Sequence, residues 1–388
     1  MTAVTSSEAA RRTVLTSFGA SSPVSDELLA YGTSLATAPT GAVPSLPLAD
    51  EPHLERWTIY AADARDVGAF EALKRRFVQL QFPIREGLSS AEEYRLATRQ
   101  GRFEYAAAYE PGLELRRPDR VTLDLSPSMA GRIPVVVAED RHDFEALVQA
   151  FTTRNEPTPV PPSMGACIVT GLNNWDRVAW HREQWEAAQP DSAAAGGWAE
   201  EFKRLAARKE LYQDRFIILS RGPYSNVGAA DVGETQEAWL DHSLAVRREH
   251  EFAHYFTYRL FGAMRTHVFD EVLADFVALH RAYGRYRPEL AKRFLGLESF
   301  PPYRVGGRLG SYRGEPPVSD EAFLVLQRMV VAAIGNVDRA ASEPWTPGLD
   351  TLTGLAAFSA SLCHLTFDEM ASADMVVHLR AHHARLAA

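Results

Sequence analysis

Two histidines and a glutamate in the middle of the chain stand at a spacing that suits metal chemistry. His250, Glu251 and His254 form an HExxH sequence. On an α-helix, residues four positions apart share one face, so the two imidazoles can present their nitrogens to a single metal ion. Glu251 lies beside them, where a carboxylate can take a proton from a metal-activated water. The pattern therefore predicts a hydrolytic metal site.

Two carboxylates downstream extend this pattern. Glu271 and Asp275 are also four positions apart, and at about 100° per residue they lie roughly 40° apart around a helix. One of them can supply a third metal ligand, while the other accepts a hydrogen bond from a ligand histidine and fixes its orientation. The order of these residues predicts one site built from two helices.

The surrounding sequence predicts the helices that such a site needs. Residues 234–261 contain no proline or glycine, and apolar residues recur there at helical spacing before Gly262. A connection of about seven residues follows, and 269–283 has the pattern of a second helix. Helices joined by a short connection pack antiparallel, which brings Glu271 back towards the histidine pair. The apolar run 215–220, just upstream, predicts a strand.

These motifs resemble the gluzincin class of metallopeptidases, whose metal site is thermolysin-like. The resemblance covers about residues 211–284. It implies that His250, His254 and Glu271 bind one Zn²⁺ ion per chain. It also implies that Glu251 is the general base and that Asp275 holds a ligand histidine, with His250 favoured. The fold implied for this part of the chain is a mainly helical, zincin-like domain.

Zinc is the metal that this ligand set favours. Neutral imidazoles and one carboxylate suit tetrahedral coordination with an open position for water. Two histidines and a carboxylate can also hold non-haem iron(II), although that site usually lies on the strands of a barrel. A di-iron site has less support, because Glu251 and His254 form one ExxH pair and no second pair is evident in the sequence.

A loop-rich segment after the second helix contains candidates for contact with a substrate. Tyr303, Arg304 and Tyr312 are the residues that we expect to stabilise an oxyanion or to bind a substrate carboxylate. The second task suits the planar guanidinium group of arginine. Further upstream, the tryptophan-containing stretch 171–185 is expected either to line a cleft or to form an amphipathic helix.

Composition and charge limit the class of protein and the kinds of partner. The 388 residues are 46% hydrophobic and 23% charged, which is ordinary for a globular protein. A net charge of −9 gives no support to nucleic acid or an anionic membrane as a partner. Two cysteines are too few for a disulfide framework, and no signal-peptide core or membrane span is visible, so we expect a cytoplasmic protein.

The fold class predicted from the whole sequence is α+β, with an N-terminal α/β segment followed by the mainly helical metal-binding domain. Residues 1–50 are expected to be loosely ordered. Strands at 56–61, 121–125 and 133–137 and helices at 68–81, 90–100 and 143–151 predict an α/β domain over 51–160. The proline-rich stretch 155–162 is the expected linker, and 161–388 is the expected metallohydrolase domain. Ser319 and Thr366 are expected to begin C-terminal helices.

The function expected from these features is zinc-dependent hydrolysis of an amide, most simply a peptide bond, with Glu251 as the general base. The expected partner is thus a peptide or a small amide. Two alternatives stay open. One is a non-peptidase metalloenzyme that acts on a small amide-type metabolite in a biosynthetic pathway. The other is a non-catalytic binding protein with a degenerate metal site.

Overall fold

A computed structural model describes residues 8–33, 45–188, 197–262, 267–346 and 348–386, and its fold is α+β. The α-helices, in chain order, are α1 (Glu8–Ser17), α2 (Ser22–Tyr31), α3 (Leu54–Val67), α4 (Ala69–Lys74), α5 (Glu92–Gln100), α6 (Arg141–Thr152), α7 (Trp175–Ala187), α8 (Gly197–Ala206), α9 (Ala229–Val232), α10 (Gln236–Phe261), α11 (His267–Tyr283), α12 (Pro288–Leu295), α13 (Asp320–Ala341), α14 (Leu352–Leu362), α15 (Phe367–Ala371) and α16 (Met375–Leu386). The strands are β1 (Val121–Ser128), β2 (Gly131–Ala138), β3 (Ala166–Asn173) and β4 (Gln213–Ser220).

The chain divides into two compact units, and the division differs from the predicted one. Unit 1 consists of Met1–Ala49, Ser128–Ala130 and Pro223–Ala388, and unit 2 of Asp50–Pro127 and Gly131–Gly222. The boundary predicted at residue 160 lies inside unit 2, because β3 and β4 complete the sheet that β1 and β2 begin. The expected linker 155–162 is therefore a loop within that unit.

The sheet of unit 2 has the strand order β1-β2-β4-β3. β2 and β4 are parallel, with Val135 opposite Ile217, whereas β3 runs antiparallel to β4. The strands predicted at 121–125, 133–137 and 215–220 are confirmed. β3 was not predicted, because it is a partly exposed edge strand without a regular apolar alternation. A bulge interrupts it at Gly171, whose φ of +70° is a left-handed value that glycine adopts without strain.

The strand predicted at 56–61 is wrong, because these residues lie in α3. Leu54, Trp57 and Tyr60 recur every three residues and are all buried, so they form one helical face. The Trp57 ring lies 5.4 Å from the ring of Phe77 and 5.0 Å from that of Phe216 on β4. Aromatic residues also favour strands, and only the burial of every third residue distinguishes the helix.

Two of the helices predicted in unit 2 differ from the observed ones in their bounds. The helix predicted over 68–81 is α4 followed by a separate 3₁₀ turn, Val78–Gln81. α5 begins at Glu92, after Ala91, which makes no side-chain cap, so the capping box predicted at Ser90 is wrong. The helix predicted over 143–151 is confirmed as α6, and Asp140 caps its first turn.

The helices predicted to carry the metal site are both confirmed in unit 1. The hydroxyl of Thr235 accepts a hydrogen bond from the N–H of Ala238 at the start of α10, and Gly262 ends that helix with a φ of +70°. α11 packs against α10. Both helices bury aromatic side chains, among them Phe256 of α10 and Phe276 of α11.

The N-terminal segment is more ordered than the prediction for 1–50. α1 and α2 bury apolar side chains, including Leu15 and Leu28. Arg11 pairs with Asp368 at 2.9 Å, which fixes α1 within unit 1. Residues 1–7 and 34–44, which belong to the same predicted segment, lie outside the described residues.

Two C-terminal helices begin where they were predicted to begin. The hydroxyl of Ser319 caps α13, and Thr366 forms a capping box with Glu369 at the start of α15. None of the helices in the described part of the chain is both long enough and apolar enough to cross a membrane.

Candidate metal centre

Three predicted ligands meet between α10 and α11. His250, His254 and Glu271 are 5%, 7% and 7% exposed, and each offers one ligand atom within 4.8 Å of the others. Nε2 of His250 lies 3.0 Å from Nε2 of His254. Each of these nitrogens is 3.4 Å from a carboxylate oxygen of Glu271. The i,i+4 spacing on α10 and the packing of α11 are what bring the three groups together.

The two separations of 3.4 Å suit a tetrahedral metal ion, and the 3.0 Å between the nitrogens is shorter than ideal tetrahedral geometry gives. Zinc bonds of roughly 2.0–2.2 Å at tetrahedral angles place neighbouring donor atoms about 3.3–3.6 Å apart. Oε2 of Glu271 is buried and has no hydrogen-bond partner among the described residues, which is rare for a carboxylate oxygen. Two imidazole nitrogens and a carboxylate are also a ligand set that zinc takes in catalytic sites. The residues present therefore fit a bound metal ion.

A second group of potential ligands in the described chain has its carboxylates engaged elsewhere. Asp140, His142 and Asp143 lie close together at the start of α6. Asp140 accepts hydrogen bonds from the backbone N–H groups of the helix, and Asp143 accepts them from those of Arg116 and Arg117. Helix capping and loop anchoring explain this group without a metal ion.

The other ring nitrogen of His250 faces a hydrogen-bond network. Oδ1 of Asp275, a fully buried residue, is 3.1 Å from Nδ1 of His250. The hydroxyl of Tyr224 is 2.9 Å from the same nitrogen and donates to Oδ1 of Asp275 at 3.1 Å. The structure thus places Asp275 against His250, the histidine that the resemblance favoured. Tyr224 was not among the predicted residues.

Arg308 adds a positive charge to this network. It comes from the 3₁₀ turn Arg308–Tyr312. Its guanidinium group donates to the hydroxyl of Tyr224 and to Oδ2 of Asp275, and its Nη2 is 3.5 Å from Oε2 of Glu271. Sequence reasoning missed Arg308, because it lies in a glycine-rich loop with no recognisable motif.

Burial and charge act in opposite directions on the ionisable groups of the site. Burial raises the pKa of Glu271, but the charges of Arg308 and His250 outweigh burial and hold that pKa well below its usual range. Burial likewise raises the pKa of Asp275, and Arg308 and His250 lower it overall. Burial lowers the pKa of His250, but Glu271 and Asp275 raise it to about 9. Both carboxylates therefore stay ionised at neutral pH, as a cation site requires.

Glu251, the predicted general base, follows His250 on α10. Its side chain is partly exposed, in contrast to the buried ligands on either side of it. Its carboxylate makes no hydrogen bond or ion pair with any residue that the structure describes. A carboxylate in this condition is available for proton transfer.

Of the three loop residues predicted to contact a substrate, Tyr312 lies at the ligand set. Its hydroxyl lies near the carboxylate of Glu271. Burial raises the pKa of Tyr312, and the charge of Glu271 adds to this against the opposing charge of Arg308. The hydroxyl of Tyr31, at the end of α2, donates to the carbonyl oxygen of Tyr312 at 2.7 Å. The N-terminal helices therefore help to position this part of the site.

The other two loop candidates are engaged elsewhere. The hydroxyl of Tyr303 donates to the carbonyl oxygen of Gly307 at 2.6 Å and accepts from the N–H of Gly310 at 2.9 Å. Arg304 forms an ion pair with Glu298 at 2.5 Å. Both side chains stabilise the loop that carries Arg308 and Tyr312.

Comparison with known proteins assigns the chain to a family. A family model described as a family of unknown function, DUF7005, matches residues 13–374. The chain belongs to the DUF7005 family. No curated protein and no solved structure matches it significantly. The DUF7005 match includes both ligand helices and the loop with Arg308, so the whole candidate site lies within the family region.

Proposed function

We propose that the protein is a zinc-dependent hydrolase that cleaves an amide bond, with a gluzincin-type ligand set of His250, His254 and Glu271. The observation that carries the proposal is the separation of the three donor groups, 3.0 Å between the two nitrogens and 3.4 Å from each nitrogen to the carboxylate. The two 3.4 Å separations match neighbouring donors around one zinc ion, and the shorter 3.0 Å separation brings both nitrogens towards the same point. The low cysteine content, two in 388 residues, supports a cytoplasmic location as part of this proposal.

The residues of the chain divide the work of hydrolysis. A zinc ion, when bound, supplies Lewis acidity that polarises a carbonyl group and acidifies water. Glu251 takes the proton of the attacking water and delivers it to the leaving nitrogen, a task for which its uncommitted carboxylate is suited. The carboxylate of Asp275, 3.1 Å from Nδ1 of His250, holds the ring with Nε2 directed at the other ligands.

Tyr312 is the residue that we assign to the developing negative charge on the substrate. A tyrosine hydroxyl is protonated at neutral pH, so Tyr312 can donate a hydrogen bond. Its position beside Glu271 places that donor next to the ligand set. A donor directed at a developing oxyanion contributes more in the transition state than in the ground state, because the charge appears only there. We propose a peptide as the substrate, with its peptide bond as the amide that is cleaved.

Zinc analysis and peptide cleavage together test this proposal. Purified protein is expected to contain about one zinc per chain and to cleave members of a peptide library. Glu251→Gln should keep the zinc and lose the cleavage. Glu289→Gln, a change at a carboxylate that is paired with Lys292 on the surface, serves as the matched control. A Glu251→Gln protein that cleaves peptides at the unmodified rate would show that the assigned base is wrong.

A further inference from the structure

A tyrosine and an arginine stand behind the ligand set without being ligands themselves. Tyr224 is 5% exposed, and the side chain of Arg308 is 18% exposed. Tyr224 comes from the 3₁₀ turn Tyr224–Asn226, which precedes α10. The two residues meet through a hydrogen bond and through a cation–π contact of 5.2 Å between the guanidinium carbon and the ring centroid. They form one connected unit with Asp275.

The hydrogen bonds of Tyr224 determine where the proton of His250 lies. A tyrosine hydroxyl has one proton, and arginine can only donate, so the Tyr224 oxygen accepts from Arg308. The carboxylate of Asp275 can only accept, so the hydroxyl proton of Tyr224 is directed to Asp275. Tyr224 then has no proton left for Nδ1 of His250, 2.9 Å away. Nδ1 must therefore carry a proton of its own, which leaves Nε2 as the nitrogen that can bind a metal ion.

The charges of the site also depend on Arg308. Glu271 and Asp275 lie four residues apart on α11, so two buried carboxylates share one helix face and repel each other. The Nη2 group of Arg308 contacts Asp275 and lies 3.5 Å from Glu271. One guanidinium group thus compensates both carboxylates and fixes the space between them.

His254 provides an internal contrast. Its Nδ1 atom is buried and has no hydrogen-bond partner within the described chain. The network therefore acts on one of the two histidines and not on the other.

We propose that Tyr224 and Arg308 are positioning residues, which fix the tautomer of His250 and the separation of Glu271 from Asp275. This proposal rests on the proposed function, since it assumes that these groups bind a metal ion. Arginine is required at position 308, because its two terminal nitrogens reach Tyr224 and Asp275 at the same time. The single ammonium group of lysine cannot reproduce that planar geometry.

Zinc affinity and the visible spectrum of the cobalt(II)-substituted protein test the proposal. Tyr224→Phe, which keeps the ring, is expected to weaken zinc binding roughly 10–100-fold and to shift the cobalt bands, because the orientation of His250 is lost. Arg308→Lys should show the same direction of change with a smaller loss than Arg308→Gln. Affinity is measured by competition with a chromophoric chelator, and folding by circular dichroism.

Two control variants separate positioning from loss of packing. Tyr286→Phe removes a buried hydroxyl that has no hydrogen-bond partner among the described residues. Arg328→Gln removes a partly buried guanidinium group that is bonded to the carbonyl oxygen of Phe18. Both should bind zinc and cobalt like the unmodified protein.

The outcomes distinguish this proposal from the proposed function. If the unmodified protein binds zinc and folded Tyr224→Phe and Arg308→Lys proteins match it in affinity and spectrum, the positioning role is refuted while the metal site stands. If the unmodified protein binds neither metal, the proposed function itself fails. Should Arg308→Gln not fold, Tyr224→Phe and Arg308→Lys still decide the question.

Discussion

Replacement of Asp275 by asparagine perturbs the orientation of His250 with almost no change in shape. Oδ1 of Asp275 faces Nδ1 of His250 and accepts from Tyr224, and Oδ2 accepts from Arg308. An asparagine side chain has one oxygen and one NH₂ group in place of these two acceptors. Whichever way it turns, its NH₂ group faces a donor, either the guanidinium group of Arg308 or the groups at Nδ1.

The expected magnitude follows from the contact that is lost. A hydrogen bond between charged groups contributes about 1.5–3 kcal/mol, and Asp275 is fully buried, so water cannot replace it. Part of that free energy stabilises the folded protein without metal, and part contributes only to zinc binding. Loss of a partner behind a ligand histidine typically weakens metal binding roughly 10–100-fold, or about 1.4–2.7 kcal/mol. We therefore expect Asp275→Asn to weaken zinc binding by an amount in that range.

Chelator competition gives the zinc affinity, and thermal unfolding of the metal-free protein gives the stability change separately. Asp270→Asn is the matched control. Asp270 is a buried carboxylate on the same helix, 1% exposed, but it does not belong to the ligand set of His250, His254 and Glu271. It should alter stability and leave zinc affinity within about twofold. If Asp270→Asn weakens zinc binding and Asp275→Asn does not, the assignment of roles along α11 is refuted.

Three further outcomes are expected. Because the pKa of His250 is raised to about 9, zinc must displace a proton from this histidine below that pH. The apparent zinc affinity should therefore rise roughly tenfold per pH unit between about pH 6 and 8. A pH-independent affinity in competition titrations would contradict this. Tyr312→Phe should keep its zinc and lower kcat roughly 100-fold or more, whereas a loss confined to KM would argue against an oxyanion role. In unit 2, Asp214 is paired with Arg177 at 2.7 Å and accepts hydrogen bonds from Trp57 and Asn174. Asp214→Ala should therefore lower the free energy of urea unfolding by about 3–5 kcal/mol. Glu71→Ala, which removes an exposed ion pair with Arg75, should lower it by less than about 1 kcal/mol.

The ligand set could be predicted from sequence because its geometry is largely local. The i,i+4 spacing of His250 and His254 fixes their relation as soon as α10 forms, and Gly262 marks where that helix ends. Glu271 follows on the next helix, so a short connection was enough to bring it back. The helical spacing of the ligands and the glycine that ends α10 are both visible in the sequence, so the ligand set could be predicted.

Tyr224 and Arg308 could not be found in the same way. Tyr224 precedes His250 by 26 residues, and Arg308 follows Tyr224 by 84. Neither belongs to a periodic pattern, and each comes from a short 3₁₀ turn whose path is set by tertiary packing. Only the folded chain shows that the two residues meet behind His250.

The division into units was missed for a related reason. Prolines in 155–162 suggested a linker, but this loop is bound to α6, with Arg141 donating to the carbonyl oxygen of Pro161 at 2.9 Å and Gln149 to that of Thr158 at 2.9 Å. The strand that follows it, β3, pairs with β4 at the edge of the same sheet. Composition can indicate a loop, but strand pairing decides which unit the loop belongs to.

X-ray absorption at the zinc edge of the purified, zinc-loaded protein reports the identity and distance of the metal ligands. We expect one zinc per chain, four-coordinate, with two imidazole nitrogens and light oxygen donors at roughly 2.0–2.2 Å. His254→Ala should lose one imidazole contribution from the spectrum. A protein that takes up no zinc, or a spectrum with sulfur ligands or without histidine, would rule out the proposed zinc site.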